Sequence, residues 1–171
     1  MTIRSLAADL NVAPMTLYRH VRDKDDILDE VADRLLSKSW RPRGKSADCW
    51  DWITDAAERL RHLLVTQPAV LHVYLSHPVV STAALTRMEA TLDVLQKVGF
   101  DEKAARRAYA AIHTYTVGFA ALQASRSLSP LGESTDETAK QLAEFTTKRQ
   151  FSDGLGYLIE GVQRHTRSDA D

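Results

Sequence analysis

A single cysteine, Cys49, in 171 residues excludes an internal disulfide framework and a cysteine-rich zinc site. Glycine and proline are scarce, at seven and five residues, and so few turn formers argue against a sandwich or barrel. No run approaches the roughly 18 apolar residues of a membrane span. No basic stretch is followed by the apolar segment of a secretion signal. The expectation is a cytoplasmic protein with no membrane partner. A glycine-rich phosphate loop, a nucleophile elbow and paired catalytic carboxylates are also missing. His72 and His77 stand five apart with Pro78 following, so they cannot share a helix face as metal ligands. No metal, no cofactor and no enzymatic activity are therefore expected, and an enzyme remains the rival from a different class.

What is abundant is helix-forming: Ala (22) and Leu (20) make up about a quarter of the chain, which points to an all-α fold. The net charge of −1 hides an asymmetry. Residues 1–45 carry nine Lys/Arg and seven Asp/Glu, and six of those acids lie between Asp23 and Asp33. A small basic module on an acidic body is one reading; ordinary surface charge is the other. Pro42, Gly44 and a basic run mark a junction, predicting a domain over 1–45 and a second over 46–171.

Apolar periodicity and stop signals predict helices over Ile3 to Leu10, Pro14 to Val21, and from Asp23 to near Ser39. Others follow over Asp48 to Thr66, Ala69 to Ser76, Val80 to Val98, and from Asp101 to about Leu128. A polar helix over Thr135 to Arg149 and a last one over Phe151 to His165 complete the series. The first two have the spacing of a helix-turn-helix. Ala7 permits close approach, Asn11 tolerates positive φ in the turn, and Leu17 lies ten residues after Ala7. Leu6, Leu10, Val12 and Val21 are expected to complete the interior. Any α-hairpin could share this spacing. What favours DNA is the remaining set, Pro14, Met15, Thr16, Tyr18 and His20, turned outward on a rod that fits a major groove about 12 Å wide.

The run LAADLNVAPMTLYRHVRDKDDILDEVADRLL resembles the DNA-binding segment of the tetracycline-repressor (TetR) family, through Thr16, Leu17, Tyr18, His20, Val21 and Lys24. Weaker similarity continues through VGF at 98–100, TYTVGF at 114–119 and the closing helix. The resemblance implies an all-α homodimer with a helix-turn-helix domain joined to a ligand-binding and dimerisation domain. It implies a repressor released from a double-stranded DNA operator by a small-molecule effector. Carried onto matching positions, DNA contacts fall on Thr2, Arg4, Pro14, Met15, Thr16, Tyr18, His20 and Lys24. The family has a further helix ahead of the helix-turn-helix, packed on Ile3, Leu6 and Leu10. Either a segment precedes Met1, or residues 1–22 are loosely held and the chain is a ligand-binding, dimerising protein impaired in DNA binding.

Effector candidates are His62, Tyr74, His77, Met88, His113 and Thr116, with Leu92 and Phe100 as apolar wall. Each has an ordinary reading as core or surface. The positions resembling the repressor's metal- and drug-contacting histidines are not His here, its metal position falling nearest Tyr74. An apolar or aromatic effector is therefore expected in place of a magnesium-bound tetracycline. Small residues from Ala104 to Ala124, with Gly154, Gly156 and Gly161, suit either close packing within one chain or a four-helix interface between two.

Overall fold

The computed structural model describes residues 2–39, 48–76, 82–128 and 144–168, and every element among them is helical. In chain order these are α1 (Ile3–Asp9), α2 (Pro14–Tyr18), α3 (Lys24–Ser39), α4 (Cys49–Thr66), α5 (Pro68–Ser76), α6 (Thr82–Lys97), α7 (Glu102–Leu128) and α8 (Lys148–Ser168). The expected junction at residue 45 and most of the expected polar helix lie outside the described residues.

Short polar side chains set where the helices begin. Thr2 and Ser5 form a capping box at α1, and Asp23 Oδ1 accepts the N–H groups of Asp25 and Asp26 at 2.9 Å. Asp48 accepts Trp50 N–H at 2.9 Å and Asp101 accepts Ala104 N–H at 2.7 Å. Each satisfies donors that a helix start leaves unpaired. Gly99 at φ 102° ends the α6 segment as expected. Three boundaries lie three residues from the sequence reading, one of them the end of α8 at Ser168 in place of His165. α2 stops at Tyr18, short of Val21. α8 starts three residues before Phe151, because the Thr147 hydroxyl caps it by accepting Gln150 N–H at 3.2 Å. Its first turn is polar and exposed, so an apolar stripe could not reveal it.

Two apolar clusters hold the helices together. One joins α4, α6, α7 and α8 through Ile53, Leu95, Ile112, Phe119, Phe151 and Leu155. The other joins α3, α4, α5 and α7 through Ala32, Leu36, Leu60, Leu64, Val70 and Ala120. α3 is thus anchored in the body by Ala32 and Leu36. A polar tie reinforces it: Asp33 Oδ1 on α3 accepts Ala83 N–H, in the first turn of α6, at 2.9 Å. The carboxylate serves α6 as a cap supplied by another helix, with the sign that a helix N-terminus favours.

Candidate functional site

The first candidate surface is the α1–α2 pair. Asn11 takes φ 53°, and Val12 N–H donates to the Ala7 carbonyl at 2.9 Å, closing the turn. Ala7 is fully buried, while Leu17 and Val21 are half-buried. Leu10 and Val12 depart from the expected interior: Leu10 is 56% exposed and Val12 is also exposed. With only seven and five residues, the two helices enclose space for little more than Ala7. Thr2, Arg4, Pro14, Met15, Thr16, Tyr18, His20 and Lys24 are all exposed, Met15 at 72%. Thr2 is also a cap, its Oγ1 accepting Ser5 N–H at 3.1 Å. Beyond α2, Arg22 clasps Asp26 in a two-pronged pair at 2.6 and 2.9 Å, which holds the Asp26 carboxyl below its ordinary range.

The second candidate is a cavity under α4, α6 and α7. Ile53, Ala57 and Leu60 form its apolar side; Arg87, Tyr109 and His113 form its polar side. Its volume is about 30 Å³, space for one or two waters. Arg87 is only 5% exposed. Its Nη2 donates to Tyr74 Oη at 2.6 Å, and its guanidinium lies 5.9 Å from the Tyr74 ring centroid. Tyr74 Oη is 3.3 Å from His113 Nε2, and Tyr109 Oη is 3.4 Å from His113 Nδ1. The Tyr109 and His113 rings stack with centroids 5.2 Å apart. Burial, aided by the Arg87 charge, depresses His113 from 6.5 to about 4, so its imidazole is neutral at pH 7. Burial pushes the Tyr74 phenol up, with Arg87 opposing. The Thr91 and Thr116 hydroxyls donate to the Arg87 and Ile112 carbonyls one helical turn earlier, at 2.8 and 2.7 Å.

Of the residues singled out from sequence, Tyr74, His113 and Thr116 come together here. Thr91, Arg87 and Tyr109 join them unforeseen. Arginine is seldom buried, so Arg87 reads as surface. Yet it keeps the spacing of Ala84, Thr91 and Leu95, the buried face of α6. The other candidates lie elsewhere. His62 borders a separate polar groove of about 560 Å³ with Asp55, Glu58, Arg59 and Lys148. Phe100 packs edge-on to Trp50, 6.1 Å between centroids, and Leu92 packs against the same apolar cluster. Met88 is half-buried on α6 and does not line the cavity. His77 falls outside the described residues.

Burial and Asp48 push the Cys49 thiol up, away from an activated nucleophile. No cluster of three or more His, Cys, Asp or Glu placed to hold a metal occurs among the described residues. No helix among them is long and apolar enough to cross a membrane. The glycines divide into two kinds. A Cβ at Gly154 would lie 2.2 Å from Tyr115 Oη, so that glycine serves packing within the chain. Gly118, Gly156 and Gly161 would meet nothing within 4 Å. Beside them Leu122 and Tyr157 are exposed, leaving an outer face of α7 and α8 uncovered by this chain.

Residues 42–151 match the family described as Tetracyclin repressor-like, C-terminal domain. The chain is 30% identical over 124 residues to the HTH-type transcriptional repressor DrrR1 of Streptomyces coeruleorubidus, covering 72% of this chain and 46% of that protein. It is 29% identical over 118 residues to an HTH-type transcriptional regulator of Saccharopolyspora erythraea, covering 69% and 50%. The aligned part thus spans about half the length of these curated relatives. Among solved structures, the TetR family protein ActR of Streptomyces coelicolor, in complex with actinorhodin, superposes with a TM-score of 0.77 at 20% identity. That superposition covers 97% of this chain and 88% of ActR. TetR from Acinetobacter baumannii AYE gives 0.77 at 24% identity, again over 97% and 88%. These superpositions establish a shared all-α fold, and with the match over 42–151 the chain belongs to the tetracycline repressor-like C-terminal domain family.

Proposed function

We propose that this chain is a dimeric DNA-binding transcriptional regulator, a repressor released from its operator by a small molecule. The observation that carries this reading is the α1–α2 pair, whose Arg4, Pro14, Met15, Thr16, Tyr18 and His20 all stand in solvent while α3, which follows it, is rooted in the core. Met15 and Thr16, in the first turn of α2, suit base edges and thymine methyls. Tyr18, His20 and Lys24 suit phosphates, which fix register without reading sequence. Two such helices spaced about 34–36 Å apart would address successive turns of one duplex face. The uncovered glycine-bearing face of α7 and α8 supports pairing of two copies, since helices meet closely where no side chain intervenes.

The effector site in this reading is the cavity beside Tyr74, Arg87, Tyr109 and His113. One solved relative of the same fold holds actinorhodin. A guest larger than water must push the cavity walls apart, and Leu60 belongs both to that wall and to the cluster that seats α3. Effector binding would therefore reposition α4, and through it α3 and the helix pair. A fluorescence-anisotropy titration on DNA selected from a random pool by the full-length protein tests this. The expectation is binding that weakens steeply with salt; salt-independent or absent binding refutes it.

A second reading has one observation behind it: Leu10 and Val12 are exposed and Ile3 and Leu6 only half-buried, so the apolar side of α1 is poorly covered. Here the pair is loosely held and the chain dimerises and binds its ligand without engaging DNA. Dimerisation and ligand binding without any DNA binding in the same titration would favour it.

A further inference from the structure

We infer that the ligand of the α4–α6–α7 cavity is a planar aromatic acid whose anionic group is held by Arg87. This rests on the cavity being the effector site and specifies the chemistry it selects.

Among the described residues, the cavity lining contains no carboxylate. Arg87 makes no ion pair among the described residues, and its hydrogen bond goes to a neutral phenol. A buried guanidinium without a counter-charge is costly, and an incoming anion removes that cost. The hydrogen-bond directions point the same way. A guanidinium only donates, so the oxygen of Tyr74 accepts from Arg87. The two phenols and the neutral imidazole then bring three protons to two contacts, Tyr74–His113 and Tyr109–His113. Whichever ring nitrogen carries the imidazole proton, one phenol O–H finds no acceptor within this cluster. The Thr91 and Thr116 protons are already spent on backbone carbonyls. The polar side of the cavity is therefore cationic, with one phenol proton to spare at its wall or just beside it, complementary to an anionic oxygen pair. The stacked rings of Tyr109 and His113 and the aliphatic wall of Ile53, Leu60 and Ile112 suit a flat aromatic body. Because burial keeps His113 neutral at pH 7, it adds no second positive charge there.

The test is isothermal titration of the full chain with 2-naphthoate and with 2-naphthamide, its neutral isostere, while the His113 ring is followed by NMR. Naphthoate is expected to bind at least about tenfold more tightly and to shift the His113 signals, as a charge-assisted pair to a guanidinium implies. Arg87→Met should abolish the preference, and Arg87→Lys should retain part of it, with both folds checked by circular dichroism. Equal or tighter binding of the amide, with His113 shifted, overturns the acid specificity but leaves the cavity as the effector site. Binding that leaves His113 unmoved, or no binding of either probe at millimolar concentration, overturns both.

Discussion

His113 makes stability depend on acid in a way that can be worked out in advance. Its imidazole titrates at 6.5 when free and at about 4 in the fold, mainly through burial and secondarily through Arg87. The unfolded chain is then the better proton binder between those values. Stability contributed by the neutral ring is fully present above pH 6.5 and is lost as pH falls toward 4. The linkage amounts to about 1.2 kcal/mol lost at pH 5.5 and about 2.4 kcal/mol at pH 4.5, relative to pH 7. Urea unfolding at these three pH values, for the wild type and His113→Gln, isolates the effect. Acid-sensitive carboxylates such as Asp26 are common to both proteins and cancel in the difference. The wild type should lose stability faster than the variant by about these amounts. Two parallel curves, within about 0.5 kcal/mol of each other, would refute the buried, neutral histidine and the geometry around it.

Five further outcomes follow from particular residues. Leu64→Ala empties a fully buried position between α3, α4 and α5 and should cost about 2–5 kcal/mol in urea denaturation. Asp33→Ala removes the cap on α6 and should cost about 1 kcal/mol by the same method, while weakening the response of DNA binding to effector. Gly154→Ala must displace the Tyr115 hydroxyl, which donates to the Phe151 carbonyl at 3.1 Å, and should lower the melting temperature. Gly156→Ala meets no such obstacle and should raise helix stability by about 0.5–1 kcal/mol while weakening self-association in sedimentation equilibrium. Tyr18→Ala should weaken binding to all DNA sequences alike, whereas Thr16→Ala should change sequence preference, both read in competition anisotropy.

Much of the helical order was legible because its signals are local. Asp23, Asp48 and Asp101 read as caps, Asn11 as a turn and Gly99 as a stop, since each acts within a few residues of itself. Two wall residues of the cavity, His113 and Thr116, and the adjoining Tyr74 were legible for a similar reason: each is a polar or aromatic side chain in a run of mostly small or apolar residues. Arg87 and Asp33 were not, because their partners lie on other helices and a charged residue on an amphipathic helix ordinarily faces water. The error at Leu10 and Val12 has the same origin. Their apolar character suggests burial, but burial needs a neighbour, and α2 is too short to supply one.

Leu60 carries a thermodynamic consequence. Because one side chain belongs to both the cavity wall and the α3 seat, in the proposed function guest and duplex would compete for its position without touching one another. Free-energy cycles close, so whatever factor the guest takes from the affinity for duplex, the duplex must take from the affinity for the guest. A protein already clamped on its operator should therefore be the poorest detector of its own signal, and molecules free of DNA should fill first.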